Sequence, residues 1–311
     1  MTGANLSLLR GAVTSPFKRA GRPGATLPAD RAVLPPAPAA PRRLAAYRDL
    51  CGFTDPDSLP LTYPHVLGFP LAMRLMTARS FPLPVLGLVH TWIEITRHRT
   101  PRPTDPLELT VYAAELTPHR RGTEVTMVTE ARLAGEPVWE SRSGYLSRHA
   151  TGTPPARPAP PASPGPDTPA PPDAPAPSDT SAPPDTWMPP YTSTPPEELP
   201  TVAEWRLPAD LGRRYGAASG DRNPIHLYPF TARLFGFPRP IAHGMWTVAR
   251  CLAEAPEPDA IRWVRADFKS PVPLPATVTH AADPTGFQLR GVAGRVHLTG
   301  TVVNAPGPPP S

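Results

Sequence analysis

The chain has 311 residues, of which 52 are proline, and a formal net charge of +5. Helices and central strands tolerate little proline, so the folded part must be shorter than the chain. Cys51 and Cys251 lie far apart without a CxxC spacing, which argues against a disulfide framework and a cysteine zinc site. The arginines are spread without an aromatic-basic module, and no apolar run is long enough to span a membrane. We therefore expect a cytoplasmic protein that binds neither nucleic acid nor membrane.

The N-terminal part is predicted to contain a flexible tail at residues 1–30 and a folded half at residues 31–150. Within this half, helical spacing of apolar residues is found at 42–53 and 68–81. Alternating, strand-like stretches follow at 87–96, 107–116, 123–135 and 137–148. This order predicts a helix wrapped by an antiparallel sheet.

Residues 151–200 consist mostly of Pro, Ala, Ser and Asp, with almost nothing to bury. Such a composition cannot offset the loss of chain entropy on folding. We predict a disordered Pro-rich linker that tethers two folded halves.

The second folded half, residues 201–304, repeats the order of the first and is followed by a short tail at 305–311. Helical patterns cover residues 207–221 and 243–255. Strand-like stretches follow at 261–268, 276–283, 286–293 and 295–304. The same order in both halves predicts an α+β protein with an internal repeat.

The internal repeat can also be aligned residue by residue. The stretch "YRDLCGF", which begins at Tyr47, aligns with "YGAASGD", which begins at Tyr215. In this alignment Phe53 stands where the second copy has Asp221. Only the second copy has an ionisable group there, so we expect the chemistry in the second half.

Asp221 and His226 are the candidate catalytic residues. The intervening "RNPI" contains Pro224, which disfavours a helix at the preceding residue and predicts a loop. A carboxylate and an imidazole in one loop suit proton transfer through a water near neutral pH. Considered singly, Asp221 is more typical of an ordinary turn and His226 of a structural histidine. Their joint spacing and the segment that follows favour a site instead.

The stretch "PIAHGMW" places Gly244 at the start of a predicted helix. Free N–H groups and the helix dipole at such a position suit a developing oxyanion, although a plain helix-start glycine is the alternative. Ser219 and the glycine after it allow backbone to approach a ligand closely. His243 is assigned a capping or supporting position. His226 and His243 lack a third ligand at a recognised spacing, so no metal site is predicted.

The stretch "YGAASGDRNPIH" closely resembles the hydratase motif of MaoC-like dehydratases and (R)-specific enoyl-CoA hydratases, as does the continuation "GFPRPIAHGMW". The resemblance covers most of residues 201–303 and, more weakly, 42–149. It implies a double hot-dog fold whose N-terminal half has lost its catalytic residues. Tyr228 departs from the family pattern, because many members carry an acidic or amide residue at this position near the site. The matching residues are Ser219, Gly220, Asp221, Asn223, Pro224, Ile225 and His226.

This resemblance also implies an activity. Asp221 and His226 would activate one water for (R)-specific hydration of trans-2-enoyl thioesters, or for dehydration of (R)-3-hydroxyacyl thioesters. The Gly244 amide would polarise the thioester carbonyl, with Asn223 and Ser219 as further substrate-binding candidates. No cofactor is implied beyond the coenzyme A or acyl-carrier thioester of the substrate.

Two other functions are compatible with this fold. One is a non-catalytic subunit that binds acyl thioesters or acyl carriers, and the retained Asp221–His226 pair argues against it. The other is a hot-dog thioesterase, against which the order of residues in "SGDRNPIH" argues. The candidate partners are the acyl-thioester substrate, an acyl carrier protein and a second copy of the chain as a homodimer.

Overall fold

The computed structural model describes residues 25–151 and 199–305. The predicted tails and the predicted linker fall almost entirely outside these residues and stay predictions.

One antiparallel sheet of ten strands forms the framework of the described residues. Its strand order is β1-β3-β4-β5-β2-β7-β10-β9-β8-β6. Read from its outer edge toward the centre, each half therefore has the same order of its own strands: first, third, fourth, fifth, second. The two halves meet where β2 pairs with β7, with Ile95 opposite Val264. The strands are β1 Arg31–Ala37, β2 Val89–Arg97, β3 Leu107–His119, β4 Gly122–Leu133, β5 Glu136–Arg148, β6 Thr201–Leu207, β7 Ile261–Phe268, β8 Ala276–Asp283, β9 Gly286–Arg290 and β10 Val296–Asn304.

Each half wraps its strands around a helix, α2 (Tyr63–Thr77) in the first half and α5 (Gly244–Ala253) in the second. Helix α2 packs against β1, β3 and β4, and α5 packs against β9 and β10. The predicted α+β double hot-dog fold is confirmed. None of the helices in the described ranges combines the length and apolar character needed to cross a bilayer. The helices are α1 Pro41–Cys51, α2 Tyr63–Thr77, α3 Leu211–Ser219, α4 Pro229–Leu234 and α5 Gly244–Ala253.

The sequence analysis missed both edge strands and the short helix α4. Strand β1 contains Pro35 and Pro36, which would break a central strand but are tolerated at an edge. The predicted start of α2 at residue 68 was also wrong, because the helix begins at Tyr63. Its second residue, Pro64, lies in the first turn, where no N–H bond is lost.

Helices α1 and α3 bring the aligned stretches of the two halves together. Each helix ends at a glycine in the left-handed region, Gly52 with φ 88° and Gly220 with φ 83°. The buried rings of Tyr47 and Tyr215 lie 6.0 Å apart. Arg43 of α1 donates hydrogen bonds to the carbonyls of the last turn of α3, at 2.8 Å to Ala218 and also to Ser219. The first half therefore fixes the helix end from which the candidate catalytic loop begins.

Candidate active site

The candidate loop starts at the end of α3, where Ser219 shapes the turn. Its hydroxyl donates to the carbonyl of Tyr215 at 2.8 Å and accepts from the N–H of Asp221 at 3.1 Å. Gly220 provides the left-handed conformation that reverses the chain. The hydroxyl of Ser219 is thus engaged with backbone groups, and its predicted contact with substrate stays a prediction.

Asp221 is held by the residues that follow it. Its Oδ1 accepts from the N–H of Asn223 at 3.0 Å, and the Asn223 side chain accepts from the N–H of Ile225 at 3.4 Å. These bonds start a single 3-10 turn at Pro224–His226. Burial raises the pKa of Asp221, although the nearby His226 and the Asn223 N–H both oppose this shift. The carboxyl group is therefore a better proton acceptor than an exposed aspartate.

His226 is buried and oriented by one strong hydrogen bond. Its Nδ1 lies 2.7 Å from the carbonyl oxygen of Ile241, and since a carbonyl can only accept, Nδ1 carries the proton. The other nitrogen, Nε2, then has a free lone pair. Burial lowers the pKa of His226, while Asp221 and the bond to Ile241 oppose this shift. The imidazole is accordingly neutral at pH 7 and able to accept a proton.

His243 supports both members of the pair. Its ring stacks on the ring of His226 with 3.7 Å between centroids. Its Nε2 donates to the backbone carbonyl of Asp221 at 3.0 Å and lies 3.8 Å from the Asp221 carboxylate. Burial, and secondarily the neighbouring His226, lowers the pKa of His243 well below its usual value. His243 therefore stacks as a neutral ring, which is the supporting position that the sequence predicted.

Three potential metal ligands meet here, because donor atoms of Asp221, His226 and His243 lie within 4.8 Å of one another. The spacing of residues in the sequence did not indicate Asp221 as a third potential ligand beside His226 and His243. Two of the imidazole nitrogens are already used, Nδ1 of His226 with Ile241 and Nε2 of His243 with Asp221. This hydrogen bonding favours a proton-transfer site over a metal centre, and the absence of a metal stays a prediction.

Gly244 is the first residue of α5, as predicted, so its N–H has no acceptor within the helix. A Cβ atom at this position would lie 2.7 Å from the ring of Phe268, a distance that real contacts do not show. Only glycine therefore fits between the helix start and this ring.

The first half places two further polar rings beside the site, and no sequence signal indicated them. Tyr145 of β5 stacks on His90 of β2 with 4.6 Å between centroids, and His90 lies 4.7 Å from Phe268. Burial, with a smaller contribution from the charge of Asp221, raises the pKa of Tyr145. These residues are more than 70 positions from Asp221 in the sequence, so only the sheet brings them near.

Phe53 occupies the position in the first half that corresponds to Asp221. Its ring stacks on Tyr47 with 6.4 Å between centroids and packs against the hydrophobic core. An apolar contact thus replaces the carboxylate in this half.

The sheet topology places the chain among double hot-dog proteins. Residues 191–304 match the model of the MaoC like domain family. The chain is 35% identical over 275 residues to 3-hydroxyacyl-thioester dehydratase X of Mycobacterium tuberculosis, covering 85% of this chain and 86% of that protein. The chain belongs to the MaoC-like dehydratase family and is a hydro-lyase.

Two further comparisons agree with this assignment. The crystal structure of HtdX of Mycobacterium tuberculosis superposes with a TM-score of 0.68 at 31% identity, covering 88% of this chain and 100% of that one. The peroxisomal enoyl-CoA hydratase 2 of Arabidopsis thaliana is 35% identical over 79 residues, which are 23% of this chain and 25% of that protein.

Proposed function

We propose that the chain catalyses the (R)-specific hydration of trans-2-enoyl thioesters and the reverse dehydration of (R)-3-hydroxyacyl thioesters. The observation that carries this proposal is the loop that holds an ionisable Asp221 beside a neutral His226 whose Nε2 is free to accept a proton. One relative is a 3-hydroxyacyl-thioester dehydratase and another is an enoyl-CoA hydratase, and both names support an acyl thioester as the substrate.

In the hydration direction, the pair would hold one water against C3 of the enoyl group. The water oxygen bonds to C3 while one of its protons passes to the Asp221–His226 pair, and the double-bond electrons move toward the thioester carbonyl. The pair then returns the proton to C2. One water is added, all atoms balance, and no redox or metal cofactor is required.

Gly244 would stabilise the enolate oxygen that forms on the thioester carbonyl. The N–H at the first position of α5 is free within the helix, and the helix dipole favours negative charge there. A preorganised donor of this kind acts where charge develops in the transition state. Asn223 and Ser219 hold the loop in shape through their bonds to backbone groups, and their contact with the substrate remains part of the proposal.

The first half would bind substrate without supplying the acid–base pair. Phe53 has replaced the carboxylate there, and His90 and Tyr145 lie beside the site of the second half. We therefore assign residues 31–150 to a non-catalytic half and residues 201–304 to the catalytic half.

The direct test is the ultraviolet absorbance of the conjugated enoyl thioester of crotonyl-CoA mixed with the purified protein. The proposal requires this absorbance to fall without release of free thiol, and the product to be (R)-3-hydroxybutyryl-CoA by chiral analysis. Release of free thiol would instead identify a thioesterase. Formation of the (S) product would contradict the assigned stereochemistry.

The pH dependence of kcat/KM is expected to follow the pair in the free enzyme. The active form has Asp221 ionised and His226 neutral, so protonation of either group on lowering the pH removes activity. Because burial lowers the pKa of His226 below its usual 6.5, kcat/KM should stay level down to about pH 6.5 and fall only below it. A decrease that already begins near pH 7.5, measured with crotonyl-CoA well below KM, would contradict the neutral buried imidazole.

Gly212 of α3 is expected to control the position of His226. A Cβ atom at this residue would lie 1.9 Å from the carbonyl oxygen of His226, so Gly212→Ala must displace the loop. A displacement of about 1 Å at a catalytic group lowers the rate on the order of 100-fold, and we expect that loss in kcat/KM for crotonyl-CoA. The control is Ala217→Gly, an exposed site of the same helix, which changes helix propensity without touching the loop. Equal activities of the two variants would show that the packing of Gly212 is unimportant.

A further inference from the structure

The surface around α4 exposes an unusual cluster of large apolar side chains. The structure describes seven exposed large apolar residues, and four of them lie within eight positions of one another. Phe230 and Leu234 are 72% and 68% exposed, and the other three of the seven are single valines elsewhere. Clusters of this kind on a soluble protein usually mark an interaction site. We name the four residues the α4 patch: Tyr228, Phe230, Leu234 and Phe235.

Exposed arginines accompany the α4 patch. Between residues 211 and 241 the only acidic residue is Asp221, which faces the catalytic site. Within the ranges that the structure describes, these arginines form no ion pair with an aspartate or glutamate. The surface therefore combines apolar anchors with uncompensated positive charge. The exposed arginines are Arg213, Arg222, Arg233 and Arg239, and the guanidinium of Arg213 lies 5.3 Å from the centre of the Tyr228 ring.

This surface is the outer side of the catalytic loop. Helix α4 begins three residues after His226, and Thr231 donates to the carbonyl of Pro224 at 2.7 Å. Beyond α4 the chain returns to the same turn, where the N–H of Ile241 donates to the carbonyl of Ile225 at 3.1 Å. A partner bound at α4 would thus contact the same loop that carries Asp221 and His226.

We propose that the α4 patch and its arginines form the docking surface for an acidic acyl carrier protein that delivers the thioester. This inference rests on the proposed function. Arginines attract a surface rich in carboxylates, and aromatic residues together with arginine dominate protein interfaces. Coenzyme A offers phosphates for the arginines but no extended apolar surface for Phe230 and Leu234. The combination of the two features favours a protein as the carrier of the acyl group.

The test compares two substrates that carry the same acyl group. One is crotonyl-CoA, and the other is crotonyl attached to the phosphopantetheine of a purified bacterial acyl carrier protein. The docking variant is the triple substitution Phe230→Ser, Leu234→Ser and Arg233→Glu, which changes exposed side chains only. The matched control is Val292→Ser with Arg121→Glu, an exposed apolar residue and an exposed arginine outside this surface.

We expect the docking variant to lower kcat/KM for the crotonyl carrier protein at least 10-fold through KM, and to change kcat/KM for crotonyl-CoA less than 2-fold. The control variant should match the wild type on both substrates. Added salt should raise KM for the carrier substrate in the wild type and much less in the docking variant, because the attraction between charges is screened.

Equal losses on both substrates, or a carrier substrate insensitive to the docking variant, would overturn the proposal. The proposal would also fail if sedimentation velocity showed that the docking substitutions dissociate a dimer. It would fail as well if anionic vesicles bound the wild type while the docking substitutions left the kinetics with the carrier substrate unchanged. Binding of the crotonyl carrier to Asp221→Asn protein, measured by calorimetry with and without the docking substitutions, separates docking from chemistry. If patch-dependent binding occurs and wild-type protein hydrates neither substrate, the proposed function fails and the docking surface stands.

Discussion

Replacing Asp221 by Asn is expected to lower kcat for crotonyl-CoA hydration by about 10²- to 10⁴-fold, the usual contribution of a positioned acid–base group. The amide has nearly the same shape and can still accept the N–H of Asn223, so the turn at 224–226 should persist. What the amide cannot do is take a proton from water. The measurement is steady-state kcat beside the thermal unfolding midpoint of the same protein.

The stability of Asp221→Asn distinguishes a chemical role from a structural one. Because burial raises the pKa of Asp221 in the folded protein, its ionised form costs stability at pH 7, and a neutral amide removes this cost. We expect an unfolding midpoint equal to or above that of the wild type. The control is Asp283→Asn, where the carboxylate also accepts a turn N–H, from Gly286 at 2.8 Å, but lies away from the site. Loss of activity together with loss of folding would argue against the catalytic assignment.

His226→Ala is expected to reduce kcat by a similar factor, because the proposed mechanism assigns acceptance of the water proton to this imidazole. It also removes the donor to the Ile241 carbonyl and the ring that stacks on His243. His226→Asn should separate these effects, since its amide N–H can replace the Nδ1–H donor to Ile241 without replacing Nε2. We expect both variants to be equally slow, and the Asn variant to be the more stable by thermal unfolding.

The control for His226 is His297→Asn, at a buried histidine of the same half whose Nδ1 contacts Ser270 at 3.0 Å. Its kcat should stay within 2-fold of the wild type. The double variant Asp221→Asn with His226→Asn should be hardly slower than either single variant, because two groups that act on one water are not additive. If the decrease in kcat of the double variant instead equalled the product of the two single decreases, the two residues would act in separate steps.

The sequence predicted the parts of the fold and site that depend on local patterns. Alternating residues located β7 and β8 at their observed bounds, and the motif from Ser219 to His226 identified the loop because its residues bond mainly to one another. Edge strand β1 was missed since its prolines resemble a loop, and the edge position that tolerates them depends on strand order.

The contacts that come from the other half could not be predicted from spacing. Arg43 caps the helix that leads to Asp221 from a position 175 residues away from the carbonyl of Ala218. Tyr145 reaches the neighbourhood of the site only through the pairing of β5, β2 and β7. The clash that Gly212 avoids with His226 likewise depends on how the loop folds back on α3. Such contacts require the tertiary structure.

The pairing of β2 with β7 determines which parts of the sequence can change without altering the site. The two halves contact each other through this strand pairing and through the packing of α1 against α3 and α5. Along the chain, the halves are connected by residues 152–198. The connection itself must only reach from Thr151 to Leu199. We therefore expect insertions and deletions within 152–198 to leave the geometry of the site unchanged, provided that the connection still spans from Thr151 to Leu199.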